Sequence, residues 1–135
     1  MSSYGMSIIH KGTLEEVKLK TQSALKAQGF GILTEIDVQK TMKEKIGLDY
    51  EPFLILGVCN PQLANQALSA DRSIGLLLPC TMTLRQVGTG VEVNILDPEV
   101  MFSLVDPELG KTLAGLPQEA KRRLQAALAT LEGEQ

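Results

Sequence analysis

Apolar and polar residues alternate strictly along two stretches of this chain and recur every three or four residues along four others. Cys80, Met82 and Leu84 point one way in an extended backbone, while Thr81, Thr83 and Arg85 point the other. Val91, Val93 and Ile95 alternate with Glu92 and Asn94, and Gly88-Thr89-Gly90 is short enough to join the two runs as a hairpin. One dry face and one wet face is the habit of an antiparallel sheet. The helical stretches are as plain. Leu14, Val17, Thr21, Ala24 and Leu25 share one face, behind the capping box Thr13-Leu14-Glu15-Glu16 and ahead of a stop at Gly29. Asp37 caps a short helix with Val38, Met42 and Ile46 inward and Lys40, Lys43, Glu44 and Lys45 outward, closed by Gly47 and Asp49. Asn60-Pro61 opens a third, with Leu63, Ala64, Ala67 and Leu68 buried, because Asn accepts free N–H groups and Pro lacks one to leave unpaired. Asp97-Pro98 and Asp106-Pro107 repeat that grammar before two short helical pieces. Pro117 to Leu131 is a long amphipathic helix with Ala120, Leu124, Ala127, Leu128 and Leu131 on one side.

Other segments are apolar without alternation. Phe53 to Cys59 reads as a central strand covered on both faces. Tyr4 to Ile9 and Gly31 to Ile36 read as two further strands. After a turn at Asp71 to Ser73, the run Ile74 to Cys80 is strand-like, and the chain is expected to be extended from Leu76 to Val87. Pro79 removes a ladder donor there and so marks an edge or bulge that would expose Cys80. The order βαβ(α)βαββ followed by helices predicts an α+β fold: one mainly antiparallel sheet, helices packed on one face, residues 1–135 as a single domain.

Composition narrows the function classes. Hydrophobic content of 44% and charged content of 21% are those of a soluble globular protein, and no tract reaches the length of a membrane helix. A net charge of −3 argues against nucleic acid, and five aromatics without a Trp argue against base stacking. The basic cluster Lys121-Arg122-Arg123 lies in the last helix and reads as a solvated face. Met1 to Gly5 carries no signal-peptide pattern, so a cytoplasmic protein with reduced thiols is expected.

The candidate chemistry gathers at the two thiols, Cys59 and Cys80, which end the two apolar runs. Cys59 precedes the helix cap Asn60, where the helix dipole lowers a thiol pKa and burial raises it, two effects of similar size. The structural alternative is that both thiols fill core. Antiparallel neighbouring strands would bring them close; parallel strands would set them at opposite ends. A soft metal site would draw on Cys59 and Cys80, with Met82 or His10, although no CxxC or HxxxH spacing is present. His10 is expected at a strand end in water. Asp97, Glu99 and Asp106 read as helix-start groups, and no base is visible for nucleophilic catalysis.

Leu56-Gly57-Val58-Cys59-Asn60-Pro61, Ala67-Leu68, Gly75-Leu76-Leu77-Leu78-Pro79-Cys80 and Asp97-Pro98 together resemble the Domain of Unknown Function 302 family, over nearly the whole chain. The resemblance implies a two-layer α+β sandwich assembled like the TATA-binding-protein-like folds, of bacterial or archaeal type, and a homodimer. It implies no activity. The matching positions Cys59, Asn60, Pro61, Pro79, Cys80, Asp97 and Pro98 mark a candidate site neighbourhood. The expected function is a binding module for a small ligand or soft metal near the cysteines. The alternatives are a homodimeric interaction domain and a thiol-dependent redox enzyme.

Overall fold

The computed structural model describes residues 3–134; Met1 and Ser2, at the start of the segment read for a signal peptide, lie outside it, as does Gln135. In chain order the elements are β1 (Gly5–Lys11), α1 (Leu14–Ala27), β2 (Gly31–Asp37), α2 (Val38–Ile46), β3 (Phe53–Cys59) and α3 (Pro61–Ala70). A 3-10 segment (Arg72–Leu77), β4 (Cys80–Val87), β5 (Gly90–Leu96), α4 (Pro98–Phe102), α5 (Pro107–Thr112) and α6 (Leu116–Gly133) follow. The five strands form one sheet in the order β1-β5-β4-β3-β2, with every neighbouring pair antiparallel. This is the α+β sandwich that the alternation predicts.

The helix starts follow the cap residues. The side chains of Thr13, Asp37, Asn60 and Asp97 accept N–H bonds from Glu16, Lys40, Gln62 and Leu63, and Glu99 respectively. The Glu16 carboxylate takes the Thr13 hydroxyl rather than a backbone donor, so only half of the expected capping box forms. Asp106 makes no side-chain cap bond.

One face of the sheet is dry. Leu56 and Val58 of β3, Met82 and Leu84 of β4, and Val91, Val93 and Ile95 of β5 are all buried against Val17 and Leu25 of α1 and Leu124 and Leu131 of α6. Ala67, Ile74, Leu113 and Leu116 form a smaller cluster beside it. The basic cluster is spent on ion pairs. Lys121 reaches Asp97 at 2.9 Å and Glu99 at 3.4 Å, and Glu119 holds Arg122 and Arg123. Those two guanidiniums hold the Glu119 carboxyl at about 2. The stabilisation from that depressed carboxyl is present above its ordinary range near 4.5 and is lost as pH falls toward 2. Among the described residues no helix is long and apolar enough to cross a membrane.

Other expectations also need correction. Leu76 and Leu77 lie in the 3-10 segment, not a strand; Asp71 accepts the Ser73 N–H and starts that turn, and the ladder begins only at Cys80. The second face of β3 is covered in part, since Phe53 and Ile55 remain half-buried. Ile46 is 61% exposed because α2 is short and buries only Val38. His10 is 1% exposed, in phase with Met6 and Ile8 on the helix-covered face of β1. Its Nδ1 donates to the Lys11 carbonyl at 2.7 Å, and its Nε2 is buried without a partner.

Candidate functional site

Strands β3 and β4 are antiparallel neighbours, with Val58 opposite Cys80. Cys59 lies one residue beyond that pair, so the pleat directs its side chain away from that of Cys80. Both residues nonetheless form part of the wall of one cavity of about 50 Å³ between the sheet and helices α3, α4 and α6. Asn60, Leu63, Pro98 and Met101 complete that wall with other apolar side chains. A volume of about 50 Å³ is far below the several hundred that a small-molecule site requires.

Burial governs the thiols, and contrary to expectation Pro79 does not expose Cys80, which is 7% exposed. Cys80 donates to the Leu96 carbonyl at 3.7 Å. Desolvation pushes its pKa up to about 12, against the Thr81 N–H and helped by Asp97. Burial also pushes the Cys59 thiol up, so the dipole of α3 does not win there. In the native protein, Cys59 is expected to react with iodoacetamide with a midpoint above that of a free thiol, about 8.5, and Cys80 not at all until unfolding. A labelling midpoint below that value would revive an activated nucleophile. Both cysteines are free, and among the described residues no group of three His, Cys, Asp or Glu side chains is placed to hold a metal ion. His10 sits at the other end of the sheet: it pairs with Val91, which pairs with Gln86, six residues or about 20 Å along β4 from Cys80.

The remaining candidates separate. Asn60 is 5% exposed and works as a cap; its Nδ2 also donates to the Gln28 carbonyl at 3.5 Å, tying the start of α3 to the end of α1. Asp97 caps α4 and pairs with Lys121. Pro79, after a cis peptide bond from Leu78, lies against Gly57 on the face of the sheet away from α1 and α6.

On that side the structure holds a larger concavity that the sequence reading did not identify. Strands β2 and β3, the start of β4, the end of β5, the 3-10 segment and α4 enclose a groove of about 530 Å³. Thr34, Gly57 and Thr81 lie in one register row across its floor, with Ile36 and Ile55 in the next. Gly57 is required there: a Cβ would collide with the Thr34 hydroxyl and stand 2.6 Å from Pro79 Cγ. Leu78, Pro79, Val100 and Leu104 wall the groove, with Leu76 90% and Leu104 74% exposed at its lip. Among the described residues no ionisable side chain lines it. Leu78 and Met101 line both the groove and the cysteine cavity, and so stand between them. The outward phase of Ile36 and Ile55 was a legible signal; the approach of Leu76 to Leu104 was not.

The model of the family described as "Domain of unknown function DUF302" matches residues 6–131. The crystal structure of an uncharacterized conserved protein DUF302 from Bacillus stearothermophilus is similar, at 27% identity and a TM-score of 0.82, over 96% of this chain and 99% of that one. No curated protein matches the chain. With the family's pattern running from the first strand to the end of the last helix, this chain belongs to the DUF302 family.

Proposed function

We propose that this protein is a small-molecule-binding module whose site is the groove over Gly57 and Pro79. The observation that carries this reading is a volume of about 530 Å³, within the 300–1,000 Å³ range of ligand pockets, walled by apolar side chains. The cavity beside Cys59 and Cys80 is about a tenth of that size. Thiol redox chemistry has less support, because burial raises both thiols above their ordinary range. A soft metal ion would find two cysteines and, among the described residues, no third His, Cys, Asp or Glu grouped with them.

Titration with the uncharged fluorophore Nile red tests the reading. Saturable binding is expected, weakened at least tenfold by Leu76→Asp with Leu104→Asp. Both side chains are largely exposed, so the thermal midpoint should not move. Cys59→Ser should leave binding unchanged. The opposite pattern would relocate the site to the cysteine cavity. No saturable binding would overturn the reading, and a dimer by light scattering that dissociates in the double variant would replace the ligand with a second copy of the chain.

A further inference from the structure

The walls of the groove also discriminate among ligands. We infer that it takes an uncharged amphipathic molecule, an apolar chain or ring bearing a neutral hydrogen-bonding head such as an alcohol or amide, and rejects ionised ones. This rests on the groove being the ligand site. Among the described residues not one side chain lining it is ionisable. Asp97 and Glu99, which precede Val100, turn to Lys121 instead. An ionised head drawn against such a wall sheds part of its water and gains no counter-charge, which disfavours it relative to a neutral head. What the wall does offer is hydroxyls. Thr34 and Thr81 flank Gly57 in one row, and each can donate or accept. Ser103 donates its hydrogen to the Val100 carbonyl at 2.6 Å, which leaves lone pairs for a ligand's O–H or N–H. Ile36, Ile55, Leu76 and Leu104 supply the apolar surface for the remainder of the molecule.

Three probes with the same ten-carbon chain separate the possibilities at pH 7.5: 1-decanol, decanoate and decylammonium, each competed against Nile red. Decanol is expected to bind at least tenfold more tightly than either ion. Ile36→Lys, at a half-exposed position on the wall, should raise decanoate affinity at least tenfold. Thr34→Val with Thr81→Val should weaken decanol by about fivefold, the value of one hydrogen bond. Decanoate or decylammonium binding the wild type as tightly as decanol would overturn the neutral-ligand assignment and leave the groove standing. Decanol affinity unchanged in the threonine double variant would overturn the head-group assignment. If none of the three probes competes, the groove is not the site, and both readings fall together.

Discussion

Leu84→Ala is expected to cost about 2–5 kcal/mol of stability, the range for removing a fully buried leucine. Leu84 is 0% exposed and sits on β4, the central strand of five, opposite Leu54 on β3 and Val93 on β5. Both neighbours belong to the same buried cluster, which α1 and α6 cover. The lost carbons leave a hole among side chains held on both flanks by ladder hydrogen bonds, so the surroundings can collapse only in part. Against a total stability of about 5–15 kcal/mol, a loss of that size is large. It corresponds to a fall in Tm of roughly 8–20 °C for a chain of this length. Because Leu84 points to the helix side, ligand binding in the groove should survive at temperatures where the variant is folded. Urea unfolding measures the first half of the prediction, and a loss below about 1 kcal/mol would mean that this face is not the dry core. Nile red titration measures the second.

The same alternation that places Leu84 inward made most of the fold readable. Thr81, Thr83 and Arg85 on β4 announce a wetter face, and there Thr81 is exposed while Thr83 and Arg85 are half-buried. Cap residues were equally legible, because Asn60 or Asp97 satisfies N–H groups two or three residues away and needs no tertiary partner. What the residues concealed was set by distant contacts. The run Ile74 to Pro79 carries the composition of a strand, and periodicity cannot tell so short an apolar run from a turn of helix. It folds as a 3-10 turn because Asp71 caps it and Ile74 packs into the smaller cluster with Ala67, Leu113 and Leu116. His10 resembled an exposed strand end in isolation, yet its phase with Met6 and Ile8 already placed it inward. The thiols drew attention by rarity, and rarity carries no geometry. Their register, with Val58 rather than Cys59 opposite Cys80, depends on which strand pairs with which. The groove is less legible still. Its walls come from β2, β3, β4, the end of β5, the 3-10 segment and α4, six pieces whose meeting no local pattern encodes.

Gly57→Val is expected to both destabilise the protein by about 1–3 kcal/mol and abolish binding in the groove, and the sign is the informative part. On propensity alone the substitution should help, since valine favours strands and glycine weakens them, by up to about 1 kcal/mol. Position 57 lies within β3, paired on both sides with Thr34 and Thr81, which is where such a gain would be realised. Packing opposes it. Even the first added carbon would meet the Thr34 hydroxyl and approach Pro79 Cγ to 2.6 Å, well inside contact distance. The threonine can turn aside, but the pyrrolidine ring is rigid and anchored between Leu78 and the start of β4. Relief therefore requires Pro79 to lift from the sheet, carrying Leu78 and Leu76 with it and opening the wall shared with the cysteine cavity. Gly57→Ala should fall between wild type and Gly57→Val in stability, because it adds one carbon where valine adds three. Denaturant midpoints order the three proteins, and labelling of Cys80 reports whether the wall has opened. A valine variant more stable than wild type, still binding Nile red and still shielding Cys80, would show that Pro79 does not rest on Gly57.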